Sequence, residues 1–313
     1  MIKGLVVRGS RNLFTVRAGG EEIECRIKGK VLKGVEGYYN ALAPGDVVEI
    51  ENGLITGLEE RRNCFARFNQ KGQAPQLLAS NVDFVVCVAS IASPPFRPRF
   101  IDRALAQAEI AGIPAAIVCN KYDLADSDFA DPDIEERLSD FESIGYPVFR
   151  LSAKTGTGMD EFRQFVSGKF SVLVGQSGTG KSSLINALIP DLQIKTGEIN
   201  EKYSRGKHTT TQGVLLESMD GGGEANSIRV VDTPGIRRFA IANVKASELI
   251  FYMREFAPLA GKCSFGFSCS HQTEVGCKIM EAVCAGVIHE DRYESFIRIQ
   301  DEIAGKNSFA DTD

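Results

Sequence analysis

Residues 169–189 read KFSVLVGQSGTGKSSLINALI, and this stretch decides the fold of the central part of the chain. The apolar run FSVLV is typical of a buried strand, and SSLINALI has the pattern of a helix. Between them, Gly175 to Ser182 have the spacing GxxxxGK[ST] of a phosphate-binding loop. In that context backbone N–H groups and the helix dipole converge on phosphate oxygens. The alternative, an unrelated glycine-rich turn, leaves the flanking strand and helix unexplained.

The loop assigns chemistry to its side chains. We expect Lys181 to reach the β- and γ-phosphates and Ser182 to bind Mg²⁺. The other residues of the loop that we expect to bind nucleotide are Gly175, Gln176, Ser177, Gly178, Thr179, Gly180 and Ser183.

A second strand, SIRVV, ends in the motif DTPG. Asp232, at the strand end, would support the Mg²⁺ shell, and the N–H of Gly235 would contact the γ-phosphate. Taken alone, DTPG could be a simple turn. Because both motifs fit ATPases as well as GTPases, the choice of base must come from other residues.

Two short polar motifs, each directly after an apolar strand, supply that choice. Asp123 of NKYD can accept two hydrogen bonds from the guanine N1–H and amino group, and adenine lacks this donor pair. A polar turn is the default interpretation of NKYD, but the motif SAK follows the next strand and offers a backbone N–H to guanine O6. The residues that we expect to bind guanine are Asn120, Lys121, Asp123, Ser152, Ala153 and Lys154.

The polar segment TGEINEKYSRGKHTTTQG lies between the phosphate loop and DTPG. A mobile loop is its plain interpretation, and a first switch is its functional one. One of Thr209, Thr210 and Thr211 would bind Mg²⁺ and sense the γ-phosphate. The sequence does not distinguish among them, and we place Thr210 in the predicted site.

The order of these motifs along the chain is NKYD, SAK, phosphate loop, switch threonines and DTPG. In most GTPases the phosphate loop comes first, so this order indicates a circular permutation. Strands and helices alternate over residues 67–242, which predicts a parallel sheet with helices on both faces. Short strands separated by turns over residues 1–66 predict a small β-barrel, which could be a structural or a docking module.

Residues 243–313 are predicted to be mainly helical and contain Cys263, Cys269, His271 and Cys277. Three thiolates and an imidazole make a closed tetrahedral Zn²⁺ set, which is structural because no ligand position stays open. Cys284 and His289 are rival ligands, although we expect Cys284 to face the helical core. A cluster without metal is the remaining alternative.

Composition excludes some classes of function. No apolar run approaches the roughly 18 residues that a membrane span needs, so we expect a cytoplasmic protein without membrane contact. The net charge of −5 does not indicate a nucleic-acid binder, and it does not exclude a local basic patch. A monomer is the simplest expectation.

These residues resemble the ribosome-small-subunit-dependent, circularly permuted GTPases of bacteria. GKHTTTQG, DTPG and CxHxxExGC carry the resemblance, together with Asn81-Val-Asp83 and Thr196-Gly-Glu198. It implies an N-terminal OB-fold, a permuted GTPase core and a C-terminal zinc domain. It also implies GTP with Mg²⁺, one structural Zn²⁺, and the small ribosomal subunit with its rRNA as partner in late maturation. The loop SFGFS, five residues between the first two cysteines, is one residue longer than is usual in that family.

The resemblance also bears on catalysis. Ile236 follows DTPG, so the water-orienting Gln of many GTPases is absent there. We expect slow intrinsic hydrolysis, stimulated by the subunit to drive a checking or release step. We hypothesise that His208 helps to orient the water, the alternative being that it contacts only RNA or solvent. Two other functions stay open, a nucleotide-gated RNA-binding module and a non-ribosomal GTPase.

Overall fold

The computed structural model describes residues 2–10, 12–28, 35, 37–127, 133–192, 213–218 and 227–305. Over these residues the chain forms a β-barrel, an α/β region and a C-terminal helical region with a Cys/His cluster. The three-part architecture predicted from the sequence is therefore confirmed. None of the described helices combines the length and apolar composition needed to cross a membrane.

The first five strands close into a small barrel. They are β1 (Ile2–Ser10), β2 (Leu13–Ala18), β3 (Glu21–Ile27), β4 (Val47–Glu51) and β5 (Leu54–Leu58). The ring runs β1-β2-β3-β5-β4 and closes where β4 pairs with β1. Inward-facing residues of the pleated strands, among them Val6, Phe14, Cys25 and Ile55, fill the interior.

A hairpin that the sequence analysis does not predict follows the barrel. It consists of β6 (Cys64–Asn69) and β7 (Ala74–Ser80). The buried side chain of Asn40 donates to the carbonyl of Leu77 and accepts from its N–H, at 3.1 and 2.8 Å. The buried carboxylate of Asp46 accepts hydrogen bonds from Arg61 and Ser80. Residue 66, where we expect the barrel domain to end, lies inside β6, so the hairpin spans that predicted boundary.

The central sheet has the order β10-β9-β8-β11-β13-β12. Its strands are β8 (Phe84–Ser90), β9 (Ala115–Asn120), β10 (Val148–Arg150), β11 (Phe170–Val174), β12 (Val214–Glu217) and β13 (Arg229–Asp232). All neighbours are parallel except β12, which runs antiparallel to β13. β12 also pairs with β1 at Val214 and Arg8, and Arg17 forms an ion pair with Glu217, so sheet and barrel are continuous.

Helices cover both faces of this sheet, as the alternating pattern predicts. They are α1 (Pro98–Ile110), α2 (Ile134–Ser143), α3 (Met159–Val166) and α4 (Lys181–Leu188). Successive residues of β8 point to opposite faces, so Cys87 belongs to the core beneath α1 and α2, whereas Val86 and Val88 belong to the core beneath α3 and α4. Because both faces are covered, ligands can approach only at the strand ends.

The C-terminal region contains α5 (Lys278–Cys284) and α6 (Glu290–Ile303), packed around Phe256 and Phe296. Residues Ala246–Tyr252, in the region predicted to be mainly helical, form a 3₁₀-helix. Leu249, Ile250 and Met253 are buried, and their spacing suits either kind of helix over so short a segment. The sequence pattern therefore could not distinguish the two forms.

A buried charge network joins the helical region to the central domain. Asp102 of α1 is fully buried and accepts a hydrogen bond from Arg292 of α6 at 2.7 Å and one from Ser295 at 2.5 Å. Glu255 accepts a second hydrogen bond from Arg292 at 2.6 Å. The contact between α1 and α6 is thus held by paired charges as well as by apolar packing.

Candidate functional site

The nucleotide motifs predicted from the sequence lie together at one edge of the central sheet. NKYD follows β9, SAK follows β10, the phosphate loop follows β11 and DTPG follows β13. Because β9, β10, β11 and β13 all run parallel, their carboxyl ends meet at this edge. Residues far apart in the chain are therefore brought into one site by the sheet alone.

The phosphate loop has the backbone geometry that its glycines predict. Gly178 and Gly180 have φ values of +86° and +90°, which favour glycine. A side chain on Gly180 would place its Cβ 2.3 Å from the amide nitrogen of Asn120, so glycine is also required by space. α4 begins at Lys181, and its first N–H groups therefore point into the loop.

Lys181 and Asp232 form the charged centre of the site. Lys181 is buried, and its ammonium donates to the carbonyls of Gly175 and Gln176, both at 2.9 Å. Burial lowers the pKa of Lys181 to about 8, with Asp232 opposing the shift. Burial likewise raises the pKa of Asp232 to about 6, with Lys181 opposing it. Both charges are costly to bury alone, so a polyanion with a divalent cation would stabilise them.

The residues fit the Mg²⁺ that the sequence predicts. Oδ1 of Asp232 is buried and has no hydrogen-bond partner among the described residues. A buried carboxylate oxygen without a donor is a favourable ligand for a hard cation. Ser182, in the first turn of α4, lies at the same edge and would be the second protein ligand.

DTPG lies against the phosphate loop. A Cβ on Gly235 would approach the backbone N and Cα of Ser177 to 2.8 Å, closer than real side chains come. The N–H of Ile236 donates to the carbonyl of Gly175 at 3.1 Å, and Thr233 donates to the carbonyl of Leu173 at 2.7 Å. Gly235 is thereby held close to the backbone of Ser177, and the side chain of Ile236 is buried.

Asn120 connects three of the motifs. Its buried side-chain amide donates to the carbonyl of Thr179 in the phosphate loop at 2.9 Å. Its oxygen accepts from the N–H of Lys121 at 2.8 Å and from the N–H of Ala153 at 3.1 Å. One side chain therefore holds NKYD, SAK and the phosphate loop in a fixed arrangement.

The two loops predicted to bind guanine present an exposed carboxylate. Asp123 is exposed, and its Oδ1 accepts a hydrogen bond of 2.6 Å from the buried Ser152. Lys121 has a φ of +62°, and its ammonium donates to the carbonyls of Ser93 and Gly178. The N–H of Ala153 is used by Asn120, which makes the amide of the exposed Lys154 the better donor for guanine O6.

The sequence analysis missed a supporting layer behind these loops. The hydroxyl of Tyr122 donates to Glu135 of α2 at 2.5 Å, and Arg150 donates to the other oxygen of Glu135 at 3.0 Å. Tyr122 lies within NKYD, and Arg150 is the last residue of β10, two residues before SAK begins. Glu135 therefore links both loops. The tyrosine inside NKYD indicated that its hydroxyl would need a hydrogen-bond partner. The identity of that partner depends on how α2 packs, which the sequence motif does not report.

The four predicted zinc ligands form one buried cluster. Their ligand atoms all lie within 4.8 Å of one another. Sγ of Cys263 is 3.6 Å from Nδ1 of His271 and 3.9 Å from Sγ of Cys277, and Sγ of Cys277 is 3.5 Å from Nδ1 of His271. Zn–S and Zn–N bonds of about 2.3 and 2.0 Å at tetrahedral angles imply separations of roughly 3.5–3.8 Å. The cluster therefore fits a structural Zn²⁺.

Neighbouring groups hold the cluster in place. The N–H of Lys278 donates to Sγ of Cys263 at 3.3 Å, and Tyr293 donates to the carbonyl of His271 at 2.7 Å. Glu274 accepts from three loop N–H groups, and hydrogen bonds from Ser270 lower the pKa of Glu274 to about 2. The SFGFS loop contains a short 3₁₀-helix, Gly266–Ser268.

The rival ligands lie outside the cluster. Cys284, at the end of α5, is exposed, so our expectation that it faces the helical core is wrong. The helix is only seven residues long, and its buried side is formed by Ile279. His289 caps α6, where its Nδ1 accepts from the N–H of Asp291 at 3.1 Å. His208, Thr209, Thr210 and Thr211 lie outside the described residues.

Comparisons with known proteins show the family to which the chain is similar. The RsgA GTPase family model matches residues 58–242. The small ribosomal subunit biogenesis GTPase RsgA 2 of Bacteroides thetaiotaomicron is 36% identical over 97% of this chain and 98% of its own length. RsgA of Moorella thermoacetica is 34% identical over 99% of this chain and its full length.

Two solved structures are similar over nearly the whole chain. YjeQ of Thermotoga maritima has a TM-score of 0.71 and 32% identity, and the match covers 98% of this chain and 99% of that one. YloQ, described as a circularly permuted GTPase, has a TM-score of 0.66 and 25% identity, and the match covers 98% of this chain and 96% of that one. The predicted circular permutation is therefore confirmed.

Proposed function

The chain belongs to the RsgA GTPase family, and we propose that it is a GTP-driven switch in late maturation of the small ribosomal subunit. It is a GTP-hydrolysing enzyme of small-subunit biogenesis. The finer steps that we propose are direct binding to the subunit and its rRNA, stimulation of hydrolysis by the subunit, and use of hydrolysis for checking or release. We further propose that it acts in the cytoplasm as a monomer.

The observation that carries the proposal is the convergence at Asn120. This side chain bonds the phosphate loop through Thr179 and the base-selecting loop through Ala153. Asp123 stands open beside them with an acceptor pair that suits guanine. Base selection at Asp123, phosphates beside Lys181 and a divalent cation beside Asp232 would together favour GTP with Mg²⁺ as substrate.

The proposed roles follow from these positions. Lys181 neutralises charge on the β- and γ-phosphates, while Ser182 and Asp232 would hold Mg²⁺, which supplies further charge neutralisation when bound. Gly235 would donate its N–H to the γ-phosphate, and Thr210 would be a further ligand of the Mg²⁺. Because Ile236 is buried, it cannot orient a water molecule, and we propose His208 for that role. The Cys/His cluster would hold one Zn²⁺ and stabilise the C-terminal region.

The test is multiple-turnover GTP hydrolysis with and without purified small subunits. We expect strong stimulation by the subunit, and co-sedimentation with it in a non-hydrolysable GTP analogue. Co-sedimentation without stimulation would favour a nucleotide-gated RNA-binding module instead. Absence of both would favour a GTPase that acts away from the ribosome.

A second experiment tests His208. The variant His208→Ala should keep nucleotide affinity and lose most of the subunit-stimulated turnover, whereas Lys207→Ala, which removes the preceding side chain, serves as the matched control. Unchanged stimulated turnover in His208→Ala would refute the role and leave His208 as a contact to RNA or solvent.

A further inference from the structure

A cavity beside the nucleotide site, which it borders at Gln176, lies where α1, the segment after DTPG and α6 meet. Its volume is about 400 Å³, within the roughly 300–1,000 Å³ of small-molecule sites. Its apolar walls include Pro95, Phe96 and Phe239. Phe239 packs edge-on against Phe100 at 5.9 Å between ring centroids, so the floor is rigid and aromatic.

The mouth of this cavity is basic although the chain as a whole is acidic. Five arginines line it against two carboxylates, whereas the net charge of the chain is −5. Arg103 is already paired with Glu302, at 2.6 Å. Arg237 is exposed and makes no side-chain hydrogen bond or ion pair with any residue that the structure describes. Its exposed neighbour Arg238 lies beside the same opening.

The combination of walls and charge selects a class of ligand. A flat apolar group fits between proline and phenylalanine faces, and a phosphate fits an arginine guanidinium in two-pronged geometry. Unpaired nucleotides carry both features in one unit. An acidic peptide would pair with Arg237 and leave the aromatic wall in contact with water.

We propose that this cavity binds one unpaired nucleotide of single-stranded RNA. The base lies against Phe96, and its phosphate lies at Arg237 and Arg238. The assignment to RNA, rather than to a free nucleotide, rests on the proposed ribosomal function. The site borders the phosphate loop at Gln176, and Arg237 is two residues beyond Gly235, so an RNA strand bound here would lie next to the γ-phosphate sensor.

Binding of a labelled hexaadenylate to the full-length protein tests the proposal. The nucleotide site is kept saturated with a non-hydrolysable GTP analogue, so that the probe cannot enter it. We expect Arg237→Ala to weaken binding about tenfold and to reduce the salt dependence, by about 0.7 in the slope of log K for one single-strand phosphate contact. Arg298→Ala, which removes a half-buried arginine of α6 that does not line the cavity, should change affinity less than about twofold.

The aromatic wall is tested separately. Phe96→Ala should weaken binding about 10-fold or more without changing the salt slope, because stacking involves no counterion release, and Phe96→Tyr should keep tight binding. An unchanged affinity in Phe96→Ala would overturn the proposal, as would displacement of the probe by hexaglutamate or by duplex RNA as effectively as by unlabelled hexaadenylate. Equal displacement by AMP would reassign the cavity to a free nucleotide. Subunit-stimulated hydrolysis, measured on the same variants, reports the proposed function separately, because probe binding needs no ribosome.

Discussion

Neutralising Asp102 should loosen the contact between the central domain and the C-terminal helical region. Asp102 and Arg292 are 0% and 1% exposed, and their charged atoms are 2.7 Å apart. Asp102→Asn keeps the shape of the side chain and removes its charge, leaving Arg292 buried with Glu255 as its partner. Breaking a buried pair costs about 3–5 kcal/mol, and the remaining Glu255 contact places this case at the lower end, about 3 kcal/mol.

Hydrogen exchange of the α6 backbone amides measures this loss directly. At about 1.4 kcal/mol per decade, we expect exchange to be roughly 100-fold faster in Asp102→Asn. Glu294→Gln is the matched control, because Arg99 and Glu294 join the same two helices but are 37% and 51% exposed. Such an exposed pair contributes less than about 1 kcal/mol, so exchange should change less than about fivefold. Equal acceleration in the two variants would show that the buried charges do not hold this contact.

Three further changes test the nucleotide and zinc sites. Gly235→Ala brings a methyl group to 2.8 Å from the Ser177 backbone, so GTP turnover should fall at least about tenfold. The affinity for GDP, measured by calorimetry, should not change. Full GTP turnover in this variant would contradict the close approach of Gly235 to Ser177. Asp123→Asn should weaken GTP binding about 100-fold and favour xanthosine triphosphate, whose C2 carbonyl matches the new amide; a competition assay that still prefers GTP would argue against base selection by Asp123. His271→Ala should abolish the one bound zinc per chain in a metal analysis, whereas Cys284→Ser should retain it; retention by both would exclude the Cys/His cluster as the zinc site.

The meeting of the nucleotide motifs at one edge of the sheet was predictable because each motif is encoded locally. The phosphate loop, NKYD and DTPG each combine an apolar strand with specific residues directly after it, and parallel strands must bring those ends together. Cys263 and its partners were predictable for a related reason, since four soft ligands in one short stretch have few other uses. The family resemblance added the barrel type and the ribosomal partner.

Features that depend on long-range pairing were not predictable. β12 is only four residues long, and a short apolar run does not distinguish strand from helix. The strands that pair with β12, which are β13 and β1, are known only from the structure of the sheet. In the β6–β7 hairpin, an irregularity between Phe65 and Ala66 interrupts the alternation that would have revealed the strand. Glu135 supports NKYD and the SAK loop by hydrogen bonds to Tyr122 and Arg150, which are 13 and 15 residues away in the chain. No local sequence motif indicates these two hydrogen bonds.

The permuted order of motifs has a mechanical consequence at residues 236–242. DTPG is the last motif of the central domain. The chain therefore runs from Gly235 directly into the C-terminal helical region. Residues 236–242 are held by contacts along their length. The N–H of Ile236 donates to the phosphate loop, and Phe239 packs between Phe65 and Phe100. The N–H of Ala242 donates to Gln107 of α1 at 2.7 Å. If γ-phosphate binding displaces Gly235, the displacement must either be absorbed within a few residues or move Phe239 against the β6–β7 hairpin and α1. Since packed aromatic contacts are costly to deform gradually, the link favours two discrete positions over a graded response.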